Sequence, residues 1–255
     1  MLSPPPASAL TTLTLNIGAA APARATAIER WLRRRSPDVI VLTETSSGMG
    51  TAILARDLQA RGYSTHATFD RRDRGVLVAT RQPVHQVLDE SLDVTLPWRV
   101  AGIVLDTAPR VAIVGVYVPS RDRSEIKVAR KREFIASLLA GVRALPEAVR
   151  RHLLLVGDYN AVARDHKPRL PGFYPYEYEM HDVLAGIGLA SAHALRPSPA
   201  QPHSWIGRTG IGYLYDYVHV GEGLHERVER CSYLHAPRES RLSDHAAVVA
   251  RVRLG

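Results

Sequence analysis

Three stretches of this sequence place carboxylate, amide and imidazole side chains where they can act together. In LLLVGDYNAV (153–162) an apolar run ends in Asp158 and Asn160, two positions apart. A strand has a side-chain period of two, so both project from one face at the carboxyl end of the run. YDYVHV (215–220) carries Asp216 inside an apolar and aromatic run, and SDH (243–245) sets Asp244 beside His245. Two earlier runs end in the same manner, LTLN in Asn16 and DVIVLTE in Glu44, and GVYVP brings Tyr117 close before Pro119.

Each feature alone has an ordinary structural reading. Asn16 can end a strand, Glu44 can cap or pair at the surface, Asp158 can open a turn, and the SDH stretch can be a solvated loop. Asp216 is harder to place, because a charge inside a strand needs a partner. Carboxylates and amides are disfavoured in strands, yet they recur here at the ends of runs spread over the whole chain. As a set they suit hydrolysis of a phosphoester. Hard oxygen donors such as Glu44 and Asp244 match Mg²⁺, which takes few carboxylates and completes its shell with water and phosphate. An Asp–His pair can hold an imidazole against a phosphate, while amides and a phenol grip its oxygens.

The elements that must position these groups are legible as apolar runs. Strands are expected at 13–17, 38–44, 75–80, 99–106, 110–118, 152–158, 215–220 and 245–254. Many are unbroken and β-branched, as strands buried on both faces are. Helices are expected at 22–35, where Ile28, Trp31 and Leu32 share a face, at 124–143 with Ser124 as N-cap, and at 177–187 before Gly188. Strands at 75–118 follow one another without helices, which predicts hairpins or meanders. Consecutive strands with helices elsewhere predict two packed sheets with helices outside. The stretch HKPRLPGFYPYEY (166–178) reads as a long surface loop.

With 255 residues, 45% hydrophobic and 23% charged, the chain has the composition of an ordinary globular protein. One domain over 11–255 is expected, preceded by a disordered lead over 1–10. No apolar run approaches the ~18 residues of a membrane span. MLSPPPASAL lacks a basic n-region and an apolar h-region, so no secretory leader is expected and a cytoplasmic monomer is. Cys231 is the only cysteine, which fits a reducing compartment. The net charge of +8 favours polyanionic partners. An arginine-rich, alanine-rich composition whose lysines are Lys127, Lys131 and Lys167 can also follow from GC-biased codons.

The ordered series LN, TE, Y-V-P, GDYN, YDYV and SDH resembles the endonuclease/exonuclease/phosphatase superfamily, which includes exonuclease III, abasic-site endonucleases and DNase I. The resemblance covers residues 12–251, and GDYN and SDH are its most specific parts. It implies an α/β fold (α+β by element order), a four-layer α/β/β/α sandwich of the DNase I-like type. It implies that Glu44 binds the metal, with Asn16 and Asp244 nearby, and that the metal is Mg²⁺, with Mn²⁺ as a substitute. Asp158 would activate or position the attacking water and Asn160 would hold the phosphate. Asp216 would orient His245 against the scissile phosphate, and Tyr117 would sit at the phosphate or leaving group. Arg99, in WRVAGIVLD, and Trp205, in HSW, match positions that support phosphate binding. The sequence departs from the family at Thr43, where glutamine is common, at Leu15, where tryptophan is, and in YLYDY, which lacks a basic residue close before Asp216.

The resemblance implies a nuclease acting on DNA. Arg121, Arg123, Arg130, Lys131 and Arg132 can line a backbone-binding face, or belong to a solvated amphipathic helix. The alternatives are a phosphatase or phosphodiesterase of a small or lipid phosphoester, and a non-catalytic binding module of the same fold.

Overall fold

Strands that are apolar at every position must be covered on both faces, and the chain meets that demand with four layers. The computed structural model describes residues 8–255. In chain order the elements are β1 (Ala9–Asn16), α1 (Pro22–Arg33), β2 (Val39–Thr45), α2 (Met49–Gln59), β3 (Ser64–Thr68), β4 (Gly75–Thr80) and β5 (Val84–Val87). A short α3 (Asp89–Leu92) and a 3-10 turn at Pro97–Arg99 lead into β6 (Val100–Leu105) and β7 (Val111–Tyr117). Then come α4 (Glu125–Ala144), α5 (Glu147–Arg150), β8 (Leu153–Asp158), α6 (Pro175–Gly186), β9 (Leu189–Ser191) and α7 (Ala192–Leu195). A small hairpin of β10 (Trp205–Ile206) and β11 (Gly212–Tyr213) precedes β12 (Asp216–Gly221). A 3-10 turn at Glu222–Arg227, β13 (Val228–Leu234), α8 (Ala236–Glu239) and β14 (Ala247–Arg253) complete the chain.

One six-stranded sheet has the order β13-β14-β1-β2-β4-β3 and the other β5-β6-β7-β8-β12-β9. Each is built around one parallel pair, β1–β2 crossing over through α1 and β7–β8 through α4, and extended by antiparallel strands. Val41, Val76, Val78, Ile113, Val156 and Val248 fill the space between the sheets. Ile28, Leu32 and Leu54 of α1 and α2 cover the outer face of the first sheet. Phe134, Leu138, Met180 and Leu184 of α4 and α6 cover the second. Each such side chain contributes about 1.5–3 kcal/mol by leaving water. The expected four-layer α/β sandwich is what forms. Among the described residues, no helix is long and apolar enough to cross a membrane.

The expected strands all form, with ends shifted by a few residues. The lead expected over 1–10 ends sooner. Ala9 and Leu10 pair with Arg253 and Val252, and Leu10 is fully buried, because β14 offers β1 a full-length partner. Residues 1–7 of that expected lead lie outside the described residues. The meander expected over 75–118 holds for β5–β6–β7, but the chain leaves the first sheet after Thr80 and enters the second at Val84. α4 starts where expected, but Ser124 does not cap it through its side chain. Its hydroxyl instead donates to Asp122 Oδ1 at 2.6 Å. The stretch 166–178 is a loop only as far as Tyr174, since Pro175 opens α6.

Gly157 leaves no room for a side chain between β7 and β8. Its φ is +147°, and a Cβ there would lie 2.0 Å from the Val116 carbonyl oxygen. Gly157→Ala is expected to lower unfolding stability by about 2–4 kcal/mol, because neither backbone can move without disturbing the ladder. Urea denaturation measures it, and an unchanged midpoint would show that the two strands can part.

Candidate active site

The functional side chains meet where both parallel pairs end. Asn16 closes β1, Tyr117 closes β7 and Asp158 closes β8, while Asp216 opens β12. In the second sheet Tyr117, Asp158 and Asp216 are cross-strand partners in one row. A row of neighbours shares a face, so three strands deliver a phenol and two carboxylates side by side.

Glu44 arrives by a different device. The β2–β4 register shifts between Thr43 and Thr45, leaving Glu44 as the extra residue of a bulge, with φ at +52°. A bulge re-aims a side chain that regular alternation would send elsewhere. A non-glycine residue in this region costs about 1–3 kcal/mol, so the surrounding structure must impose it. Asn160 likewise has φ at +46°, a conformation asparagine tolerates better than most residues.

Asn16 joins the two halves of the site. Its Nδ2 donates to Glu44 Oε1 at 3.0 Å and to Asp158 Oδ2 at 2.9 Å, while its Oδ1 accepts from Gly18 N at 2.9 Å. The amide therefore presents its nitrogen to the carboxylates. Its oxygen is turned to the Gly18 backbone, so Asn16 meets the expected metal-binding Glu44 through its nitrogen. Tyr117 OH donates to the same Glu44 Oε1 at 3.0 Å. The second oxygen, Glu44 Oε2, has Arg74 Nε at 3.9 Å.

Asp158 is fully buried. Its Oδ1 accepts from Asn160 N at 2.8 Å, and its Oδ2 from Asn16 and, at 3.2 Å, from Asn160 Nδ2. Burial, and next the charge of Asp216, push its carboxyl up to about 7, against the pull of His245 and the Asn160 N–H. Asn160 Nδ2 also donates to the Val118 carbonyl at 3.0 Å. Both amide hydrogens of Asn160 thus serve the protein, and the one on Asp158 is the more loosely held.

His245 Nδ1 donates to Asp216 Oδ2 at 2.7 Å, which leaves Nε2 to the cleft that His245 lines. Burial opposes the imidazolium, but Asp216, Asp158 and Asp244 outweigh it and raise its pKa to about 10. Asp216 Oδ1 is buried without a hydrogen-bond partner. Trp205 Nε1 donates to Asp244 Oδ2 at 3.1 Å, so Trp205 holds a carboxylate and offers no free N–H to a phosphate.

Arg99 lies behind Tyr117. It is 5% exposed, pairs with Asp73 at 2.5 Å and stacks over the Tyr117 ring at 4.4 Å. Its charge is met by Asp73, so it supports Tyr117 from behind. The basic segment also divides. Arg121 pairs with Glu177, Arg130 with Asp73, and Lys131 is buried, leaving Arg123 and Arg132 exposed.

Sequence reasoning gave no positioning role to four residues, Lys131 among them, which it set on a basic face. Ser243 Oγ donates to Asn16 O at 2.6 Å and accepts from His245 N at 2.9 Å, tying the last loop to β1. Ser204 Oγ accepts from Tyr215 N and Asp216 N. Lys131 and Glu177 form a buried ion pair at 2.6 Å. Each of this pair sits on the apolar stripe of its helix, with Phe134, Ile135 and Leu138, or with Met180, His181 and Leu184, and a charge on such a stripe was the available signal.

The cleft has a volume of about 610 Å³. Glu44, Asn160, Asp244 and His245 line it together with Phe173, Trp205, Tyr213 and Tyr215. Trp205 and Tyr215 stack with centroids 5.7 Å apart, and Tyr213 lies 5.1 Å from Tyr215. Glu44, Asp158 and Asp216 bring three carboxylates together against one imidazole. Ligand atoms of Asp158, Asp216 and His245 lie within 4.8 Å of one another. The hard-oxygen donors, the surplus of negative charge and the lightly engaged Glu44 Oε2 fit a divalent cation.

The family model for the Endonuclease/Exonuclease/phosphatase family matches residues 13–245. No curated protein matches the chain by sequence. Among solved structures, the chain is similar to a 3′ phosphatase, NExo, from Neisseria bound to a product DNA hairpin. The TM-score is 0.77 at 22% identity, over 94% of this chain and 98% of that one. It is similar to an AP endonuclease from Archaeoglobus fulgidus, with a TM-score of 0.79 at 19% identity, over 94% and 98% of the two chains. It is also similar to a 3′-5′ exonuclease, NExo, from Neisseria meningitidis, with a TM-score of 0.78 at 22% identity, over 96% and 100%.

Proposed function

The chain belongs to the Endonuclease/Exonuclease/phosphatase family and is a hydrolase of phosphoester bonds, and on that premise we propose that it is a Mg²⁺-dependent nuclease acting on DNA. The observation that carries this reading is the convergence of Glu44, Asp158, Asn160, Asp216 and His245 from both sheets on one cleft. Glu44 would hold the cation through Oε2, with Asp244 as the second oxygen donor, and Mn²⁺ would serve in place of Mg²⁺. A cation so held supplies charge neutralisation at the phosphoryl oxygens.

The chain's own residues do the rest. Asp158, held by Asn16 and Asn160, orients water for in-line attack and accepts its proton. His245, kept cationic by Asp216, donates from Nε2 to a phosphoryl oxygen and stabilises the charge that develops there. Tyr117, braced by Arg99, holds Glu44 and borders the leaving group. Asn160 can exchange its longer bond to Asp158 for a phosphate oxygen. The rings of Phe173, Trp205, Tyr213 and Tyr215 offer a surface for the sugar or base. A monomer in the cytoplasm suffices for this chemistry.

One observation favours the second reading, a small or lipid phosphoester. Arg99, Arg121 and Arg130 are spent on Asp73 and Glu177 and are not free for a polyanionic backbone. The test is a hydrolysis panel of abasic-site duplex, plain duplex, single strand and bis(4-nitrophenyl) phosphate, with Mg²⁺ or EDTA, at increasing salt. Turnover on DNA that EDTA abolishes and that falls steeply with salt is expected, because counterion release accompanies binding to a polyanion. Salt-insensitive turnover confined to the small diester would replace DNA as the substrate.

A further inference from the structure

Lys131 is 1% exposed, yet it is among the residues that line the cleft. Its ammonium donates to the Asn160 carbonyl at 2.6 Å and pairs with Glu177 Oε1 at 2.6 Å. Glu177 is fully buried, and its other oxygen accepts from Arg121 Nε at 3.0 Å and from Tyr174 N at 2.8 Å. Arg121 in turn donates to the Gly172 carbonyl at 3.2 Å and stacks over the Tyr174 ring at 4.3 Å. One buried pair thus grips the turn that carries Asn160 and the loop that carries Phe173 on the cleft wall.

Resting on the phosphodiesterase reading above, we propose that Lys131 and Glu177 are a positioning pair, which locks the Asp158–Asn160 turn and couples it to the 172–174 wall of the cleft. Asn160 holds Asp158 through its N–H and its amide, and it does so in a left-handed conformation with φ at +46°. The orientation of its carbonyl is tied to that conformation, so clamping the carbonyl clamps the donors. Without the ammonium the turn is free to relax toward ordinary backbone angles, and Asp158 loses two of its three donors. Burying a cation on an apolar helix stripe is costly unless its partners are well placed, and the partners here both belong to the site.

Removing Lys131 alone would leave Glu177 Oε1 buried without the cation it faces, so the test uses Lys131→Met/Glu177→Gln, in which glutamine keeps an acceptor for Arg121 and Tyr174 N. This variant is expected to melt near the wild-type temperature. Its kcat on the best substrate of the panel should fall ~10–100-fold while KM moves by less than about 3-fold, as misplacement of a reacting group by a fraction of an ångström does. Lys131→Arg should recover kcat to within about 5-fold of wild type by keeping both contacts. A double variant with wild-type kcat, or a Lys131→Arg protein as impaired as the double variant, would overturn the assignment. Hydrogen exchange of the Asn160 amide reads the clamp without turnover. Protection should drop about 10-fold or more in the double variant, and unchanged protection would overturn the proposal even if the wild type hydrolyses nothing on the panel.

Discussion

Asp158→Asn is expected to lower kcat by about 10³-fold or more while leaving the fold intact. Asparagine has the shape of the carboxyl group, but it neither takes a proton from water nor carries the charge that orients it. The two donors on Oδ2 come from Asn16 and Asn160, so the amide oxygen can keep that position, and its NH₂ then faces Asn160 N. The stability readout has the opposite sign. Burial and the Asp216 charge raise the Asp158 carboxyl from 3.8 to about 7 in the folded protein. Between those values the native state binds more protons than the unfolded one, so this group makes stability fall as pH rises, by up to about 1.4 kcal/mol per unit. Asp158→Asn removes that loss. Melting in EDTA should therefore show the variant gaining on wild type from pH 4 to pH 8. Activity retained within tenfold, or a variant that unfolds at pH 8, would mean that Asp158 is a structural group.

Asp216→Asn should act through His245. In the wild type the imidazolium persists to about pH 10, because Asp216 leads the carboxylates that outweigh burial. An asparagine oxygen can still accept from Nδ1, so the ring keeps its place and loses its counter-charge. The pKa of His245 then falls, and at pH 8 a neutral imidazole faces the phosphate. Loss of one such preorganised donor is expected to cost about 10²–10³-fold in kcat. The pH–rate profile carries the sharper signature. Wild-type activity should rise through about pH 7 as Asp158 ionises and hold until His245 deprotonates near 10. In Asp216→Asn the alkaline limb should move down toward neutral pH. A limb that stays where the wild type has it would show that Asp216 does not set the charge of His245.

Much of this architecture follows from one pattern. Strands sandwiched between two layers are mostly apolar, and the carboxylates and amides of β1, β2, β8 and β12 stand only at the ends that meet at the cleft. The runs ending in Asn16, Glu44, Tyr117 and Asp158 were legible for that reason, and so was Asp216 opening β12. Of the strands that escaped, β10 and β11 are two-residue pieces of the small hairpin, while β3, β5, β9 and β13, with the sequences STHAT, VHQV, LAS and VERCSYL, mix polar and apolar residues. They are sheet edges, half-solvated, and a half-solvated strand needs no continuous apolar code.

What the sequence determined by itself is the set of groups and their order along the chain, because residue type and strand period dictate which side chains a buried run can release at its end. The directions of those groups were decided only by the tertiary structure. The bulge turns Glu44 inward, the Gly18 N–H turns the Asn16 oxygen away from the carboxylates, and Asp73 claims Arg99. Lys131 reads as a surface charge until α4 is laid on the second sheet and α6 supplies Glu177. Each of these contacts joins residues from separate elements, and no local preference specifies a partner that arrives by packing.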